Sequence, residues 1–502
     1  MLSQVRDEEW LELSELIAGK MGLYFSPERR DDLERGITGA SREFGFDDTR
    51  ECISSLLASR LTKIQLQVLA SHLTVGETYF FRDKQAQDAL SENILPGLIQ
   101  SRRGHGQRLR IWSAACCSGE EAYSLAILLH QALPDLAEWQ VTITASDINP
   151  RFLYKACQGT YSEWSFRNAP AWLKQSYFNR TPDGQYEIIP EIKKMVTFIH
   201  LNLVEDVYPS LVTDTNAMDV IFCRNVLMYF TPAQIGKVIE KLGYSLVDGG
   251  WLAVSPSEAS RALFPRFANV NFPGAIFFQK NETEFLSQSV RKQPDHKPKA
   301  YLSDELVHSR SEPEISQENA ALKQSGKIPM TEIIGRLQSS AEALYLQGLY
   351  SEVTDTLLAG FERHPVERHL NPAIFSLMAR ALANQGKLDD ALVWCDHWIA
   401  ADKLDVAGHY LRGMVLQEQG NFELAQSSLQ RAVYLQPDFV PAHFSLGNLA
   451  HARSKADEAD KHFANALRLL KNYQPEDIVP ESEGLTAGRL IEFIKSMNAM
   501  GA

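Results

Sequence analysis

Leu109-Arg-Ile-Trp-Ser113-Ala-Ala-Cys-Cys-Ser-Gly119-Glu120-Glu121-Ala-Tyr-Ser124 passes from a short apolar run, through small residues and a glycine, into an amphipathic helix pattern. Small side chains let a backbone approach a ligand closely before a helix begins. The spacing is not G-x-G-x-x-G, and two carboxylates stand where a dinucleotide fold seats its pyrophosphate. An anion is repelled there and a cation welcomed. Acidic residues in a first helical turn also complement the helix dipole with no ligand at all, so the stretch gains meaning only from its neighbours.

Those neighbours repeat the pattern. Val141-Thr-Ile-Thr-Ala-Ser, Val196-Thr-Phe-Ile-His-Leu, Asp219-Val-Ile-Phe-Cys and Trp251-Leu-Ala-Val are further β-rich runs, mostly separated by helical patterns such as Tyr123–Ala132 and Ala233–Leu246. Strands alternating with helices predict an α/β domain with a doubly wound, mostly parallel sheet, whose ligand binds beyond the carboxyl ends of the strands. Before this domain, residues 1 to about 70 read as helices, with Trp10, Leu13, Ile17 and Met21, then Ile53, Leu56, Leu57, Leu61 and Ile64, at helical spacing.

Residues 281–330 are polar, charge-mixed and poor in aromatics, which predicts a solvated linker. From about 335 to 500 the chain repeats with a period of 34: Ala391, Ala425 and Ala459, and likewise Ala379, Gly413 and Gly447, fall in phase. Such a period, with small residues where helices cross, resembles the tetratricopeptide (TPR) repeat. The units are expected at about 372–405, 406–439 and 440–473, after a divergent unit containing Gly348. Leu485–Met500 is expected to be the capping helix.

With 502 residues the chain has room for two or three domains, and 44% hydrophobic with 23% charged residues is ordinary globular composition. A net charge of −13 argues against a nucleic-acid backbone or an anionic membrane surface as partner. No window reaches the roughly 18 uninterrupted apolar residues of a membrane span, and the acidic opening Met1–Leu16 has the wrong character for a signal or transit peptide. Six cysteines without C-x-x-C spacing, and no histidine cluster, indicate neither a disulfide framework nor a metal site. A cytoplasmic protein is the expectation.

Other strands also end in polar residues. Asp147 ends the second, as an acid that holds ribose hydroxyls does, although a lone aspartate there is more often a turn or cap. Asn202 beside Leu203, and Arg224-Asn225 followed by Tyr229, come just after later strands. Ahead of the sheet, Thr78-Tyr-Phe-Phe-Arg82 sets an arginine beside three aromatics, suited to holding a carboxylate. A carboxylate-headed helix together with an acidic strand end points to a nucleoside carrying positive charge, and S-adenosylmethionine, a sulfonium, fits where NAD does not.

Thr78-x-Phe-Phe-Arg82, Ser113-Ala-Ala-x-x-x-Gly-Glu-Glu-x-Tyr-Ser, Ala145-Ser-Asp147-Ile, Leu201-Asn202-Leu203 and Phe222-Cys-Arg-Asn-Val-x-x-Tyr-Phe230 resemble, in family order, the chemoreceptor glutamate methyltransferases (CheR-type). The resemblance covers residues 1 to about 280. It implies a helical subdomain (1–75) and a methyltransferase domain (76–280) with a small β-subdomain near 160–195. It implies S-adenosylmethionine contacts at Thr78, Arg82, Glu121, Asp147, Asn202, Leu203, Arg224 and Asn225, with Arg82 and Tyr229 nearest the transferred methyl. Gly76 also falls in the cofactor segment, where the family usually has asparagine, so one side-chain contact is expected to be missing. The implied substrate is a glutamate on the cytoplasmic domain of a methyl-accepting receptor, in chemotaxis or surface sensing. The hairpin around Thr181–Glu187 looks short for gripping a receptor tail, and the repeats are expected to target or regulate, docking a further signalling protein. The rival reading is a scaffold whose degenerate fold senses S-adenosylmethionine and acts through the repeats. An NAD-linked oxidoreductase lacks its phosphate loop.

Overall fold

The computed structural model describes residues 5–104, 106–204, 208–281, 330–363, 372–453 and 455–501. The expected linker at 281–330 lies, apart from its two end residues, outside them. Four helices open the chain: α1 (Asp7–Met21), α2 (Arg30–Glu43), α3 (Thr49–Ala58) and α4 (Lys63–Leu73). Their apolar stripes close a core of Trp10, Leu13, Ile17, Ile37, Ile53 and Leu69. Local signals set the ends: Asp48 caps α3, and Thr62 with Gln65 forms a capping box on α4.

After α5 (Lys84–Ala89) and α6 (Leu95–Arg102) comes the α/β domain. Its strands are β1 (Arg108–Ala114), β2 (Gln140–Asp147), β6 (Val196–His200), β7 (Met218–Cys223), β8 (Leu246–Ala253), β9 (Phe267–Phe272) and β10 (Ala275–Lys280), in the order β6-β2-β1-β7-β8-β10-β9. The first five are parallel. The antiparallel β9–β10 hairpin, turning at Pro273-Gly274, was not anticipated; it completes the far edge. Helices α7 (Glu120–Ala132), α8 (Pro150–Gln158) and α11 (Pro232–Ser245) are among the crossovers, and β1 and β7 are buried almost throughout. Between β2 and β6, α9 (Ala171–Tyr177) and α10 (Pro190–Lys193) accompany a three-stranded sheet of β3 (Thr160–Tyr161), β4 (Phe178–Arg180) and β5 (Tyr186–Ile188).

The C-terminal helices pair as α12 (Met330–Leu346) with α13 (Tyr350–Arg363), α14 (Pro372–Asn384) with α15 (Leu388–Ala401), α16 (Val406–Glu418) with α17 (Phe422–Leu435), and α18 (Val440–Ala452) with α19 (Ala456–Leu470), followed by α20 (Ala487–Gly501). At the crossings the small residues are obligatory: a Cβ on Gly413 would stand 2.7 Å from Leu429, and one on Gly447 would stand 2.4 Å from Phe463.

The repeats, expected beyond a solvated linker and docking a further signalling protein, pack against the enzyme domain of their own chain. They lie along the amino ends of the sheet strands. Gly348, Gly386 and Gly420, each at a helix turn with φ of 75, 74 and 78°, abut Tyr244, Ala217 with Arg108, and Gln140 respectively. Arg110 Nη1 lies 2.8 Å from Glu418 of α16, with Arg108 Nη1 3.6 Å from the same oxygen. Ten of the thirteen residues of α18 are buried, against four of fourteen in α17. A helix buried nearly all round is covered on both faces. The cover is this chain's own: Tyr208, Val212 and Met218 share a core with Val440, Phe444 and Phe463, and Leu211 sits within the core of the repeats. The face of the repeats that carries Ala383 of α14, Glu418 of α16 and Phe444 of α18 is here packed against the α/β domain.

Candidate active site

At the opposite, carboxyl ends of the strands lies a cavity of about 440 Å³. Thr78, Arg82, Glu121, Asp147, Asn202, Leu203, Arg224, Asn225 and Tyr229 all line it. Gly76 does not; a Cβ there would come 2.7 Å from the ring of Phe152, which does line the cavity, so glycine is what lets that ring stand close.

The turn after β1 lies against the end of β2 by hydrogen bonds. The amide of Cys117 donates to Asp147 Oδ2 at 2.9 Å, and that of Asn149 to Oδ1 at 2.8 Å. Burial nevertheless dominates, and the Asp147 carboxyl is pushed up to about 6. The two glutamates opening α7 part company. Glu120 turns inward to the hydroxyls of Ser118 (2.8 Å) and Ser165 (2.9 Å), tying the turn to the β-subdomain side. Glu121 faces the cavity, accepts from Ser113 Oγ at 2.7 Å and lies 3.5 Å from Arg224 Nη1. Burial raises its pKa against the opposing pull of Arg224. Arg224 itself is buried between Asp83 and Glu121. Cys116 and Cys117 also line the cavity, but burial pushes both thiols up, Cys117 to about 12, so they stay protonated and offer no thiolate.

Arg82 donates to the carbonyl of Glu77, and Tyr229 is half-buried with Arg29 5.2 Å from its ring centroid. Burial raises the Tyr229 phenol, which keeps its proton for donation. The helical subdomain is part of the site: Met21 and Leu23 line the cavity, Asn202 Nδ2 donates to Lys20 O at 2.8 Å, and Tyr24 N donates to Tyr229 O at 2.8 Å. Backbone strain gathers here too. Phe81, Asp83, Ala115, Cys117 and Asn225 all have φ between 50 and 66°, a region costly for side-chain-bearing residues.

One residue the sequence reading missed organises the loop after β7. Glu258, buried, accepts from Asn225 N at 2.8 Å and Met228 N at 3.2 Å, and from Ser255. It follows the apolar run Trp251–Val254 much as Asp147 ends its own, so the same rule of acids past strand ends would have found it. No group of three or more His, Cys, Asp or Glu suited to a metal ion occurs among the described residues.

The family model for the CheR methyltransferase SAM-binding domain matches residues 76–274. The chain is similar to chemotaxis protein methyltransferase 2 of Vibrio cholerae, 38% identical over 195 residues that cover 39% of this chain and 66% of that one. It is similar also to a chemotaxis protein methyltransferase of Borreliella burgdorferi, 31% identical over 259 residues, 51% of this chain and 90% of the relative. Among solved structures, MamA of Desulfovibrio magneticus matches 28% of this chain and 76% of its own at 21% identity and a TM-score of 0.26, a likeness that carries no argument.

Proposed function

The chain belongs to the CheR methyltransferase family, and from that premise we propose that it methylates glutamate carboxylates on the cytoplasmic domain of a methyl-accepting chemoreceptor, giving glutamyl methyl esters. The observation that carries the reading is the cavity itself, lined by the acids Asp147 and Glu121 and by Arg82 and Tyr229.

The lining fits S-adenosylmethionine by its chemistry. Asp147 offers carboxylate oxygens to ribose hydroxyls, and Asn202 with Leu203 offers amide and apolar surface to a purine. Glu121, Thr78, Arg224 and Asn225 supply acceptors and donors for an amino-acid end. When bound, the cofactor supplies an electrophilic methyl on a sulfonium. A receptor glutamate, with an ordinary pKa of about 4.3, arrives already ionised, and no general base is required. Arg82 orients that carboxylate; a partly exposed guanidinium suits this role better than a fully buried ion pair, which would hold back the nucleophile. Tyr229 donates a hydrogen bond and closes the apolar wall. Because charge is cancelled as the ester forms, the aromatic and aliphatic lining favours reaction by keeping water out, and positioning does the rest.

The test is transfer of labelled methyl from S-adenosylmethionine to receptor-bearing membranes, read as base-labile ester. Arg82→Ala and Tyr229→Phe should lower turnover far more than melting temperature. Parallel loss of both quantities would mean that these residues hold the fold rather than the reaction.

A further inference from the structure

The cavity wall formed by Leu201, Asn202 and Leu203 is held at both ends by the C-terminal cap of the repeats. At its start, β6 is the edge strand, and Leu201 N donates to Asp147 O at 3.0 Å. One residue earlier, the carbonyl of His200 accepts from Arg489 Nη2 of α20 at 2.8 Å, and its ring Nδ1 faces Nη1 of the same guanidinium. Burial first, and Arg489 second, hold His200 down to about 4, so the ring is neutral and Nδ1 accepts. Arg489 thus covers an edge that has no neighbouring strand.

At the far end, the hydroxyl of Tyr208 donates to Leu203 O at 2.6 Å, with its ring 5.3 Å from that of Trp112. The residues that follow Tyr208 are held by the segment before α20: Glu483 accepts from Ser210 Oγ at 2.8 Å and from Leu211 N at 2.7 Å. That segment is seated in the repeats by the ion pair of Glu481 with Arg380 of α14. Both glutamates have left-handed φ, 62 and 55°, as do Asp214 and Ala217 across the junction, at 51 and 48°. Side-chain-bearing residues persist there only when the surroundings over-determine them.

We propose that Arg489 and Glu483 are positioning residues for the cofactor site, so that the repeat domain sets cofactor affinity through the Leu201–Leu203 wall. The inference rests on the S-adenosylmethionine reading given above. Neither residue lines the cavity. Each acts by fixing a backbone segment on either side of three residues that do. The arrangement makes the repeats an integral part of the enzyme, and any partner that loosens the cap would weaken cofactor binding without reaching the mouth of the cavity.

The experiment uses the full chain, with S-adenosylhomocysteine as the calorimetric probe and S-adenosylmethionine in turnover. Glu483→Ala and Arg489→Ala should each weaken probe binding by on the order of tenfold and raise KM for S-adenosylmethionine, with kcat changed less than about twofold. Glu483→Gln keeps an oxygen that can accept from Ser210 and Leu211, and should restore most of the affinity. Leu429→Ala, buried within the middle repeat against Gly413, is the control for stability alone: it should lower the melting temperature and leave the affinity unchanged. Two results overturn the proposal: unchanged affinity in Glu483→Ala, or equal weakening in Leu429→Ala at a matched loss of melting temperature. A wild-type chain that binds no S-adenosylhomocysteine overturns the cofactor reading together with this inference, whereas a tight-binding wild type with indifferent variants overturns this inference alone.

Discussion

Strand β1 joins two regions built from similar materials and put to different uses. Beyond its carboxyl end lie the acids of the cavity, buried Asp147 and partly buried Glu121, and strained residues, Ala115 and Cys117. At its amino end lie buried arginines, Arg108 and Arg110, with strained Asp214 and Ala217 nearby. Among the described residues, ten non-glycine positions have positive φ, five of them around the cavity and four at the junction with the repeats. Buried charge and backbone strain therefore do not by themselves mark a ligand site. At the amino end the opposite charge, Glu418, comes from the chain itself, and the gap is filled by α14, α16 and α18. At the carboxyl end the polar groups also have partners within the chain, Asp147 the amides of Cys117 and Asn149 and Glu121 the hydroxyl of Ser113, but they line an open cavity. A joint is filled by its own chain; a site keeps room for something that arrives.

The largest test of this contrast is to remove the cover. A chain cut near residue 285 loses Glu418, which faces Arg108 and Arg110, and Glu483, which holds Ser210 and Leu211, together. It should melt lower by on the order of 10 °C, since about 3 kcal/mol shifts a domain of this size by that much. A fragment that melts with the full chain would mean that the amino-end contacts are adventitious.

Next in size is Glu418→Ala, which leaves two buried guanidinium groups without their carboxylate. Removing one partner of a buried pair costs about 3–5 kcal/mol, and the low end applies because Arg110 keeps Asn216 at 3.3 Å. Denaturant melts should show that loss, while affinity for S-adenosylhomocysteine stays within twofold. A large affinity change with little loss of stability would reverse the roles assigned to the two ends.

The carboxyl end should answer to pH instead. Burial raises Asp147 from 3.8 to about 6, so the fold prefers its protonated form. That part of the stability is complete below about 4 and declines as pH rises through 6. Ribose hydroxyls prefer the ionised form, and ligand affinity should run the other way. S-adenosylhomocysteine should bind about tenfold more weakly one unit below that pKa, about 1.4 kcal/mol, and Asp147→Asn should flatten the profile. A wild-type affinity constant from pH 5 to 8 would remove Asp147 from the ligand's reach.

How much of this was legible follows the same division. Part of the cavity could be read because acidic and polar residues such as Glu121, Asp147, Asn202, Arg224 and Asn225 sit just past apolar runs, where strand order places ligands; joining them with Thr78, Arg82 and Tyr229 into one site rested on the family resemblance. Glu258 obeys the same rule and was overlooked. The joint could not be read, because its signals have sufficient local explanations. Gly386 and Gly420 are accounted for by helix turns, Arg108 and Arg110 by the polar residues opening a strand, and Glu481 and Glu483 by a polar loop. Nothing local says that these surfaces meet.

The smallest prediction asks the turn glycines to report that meeting. Gly386 and Gly420 have nearly the same φ, 74 and 78°, so alanine should cost each about 1 kcal/mol for its left-handed backbone. They differ in what a Cβ would touch. At Gly386 it would stand 3.1 Å from both Ala217 Cβ and Arg108 Nη2, tighter than ordinary contact, and Ala217 lies in a strained segment with little freedom to yield. At Gly420 it would lie 3.5 Å from the side chain of Gln140, at van der Waals distance. Gly386→Ala should therefore lose more stability than Gly420→Ala, by about 1 kcal/mol, the low end of overpacking costs. Adding the cut near residue 285 to neither variant but comparing each with an isolated repeat fragment would confuse folding with docking, so the full chain is the right background. Equal losses at the two glycines would mean that the repeats stand off the sheet far enough to admit a methyl group, and the joint would then be looser than the ion pair of Arg110 with Glu418 implies.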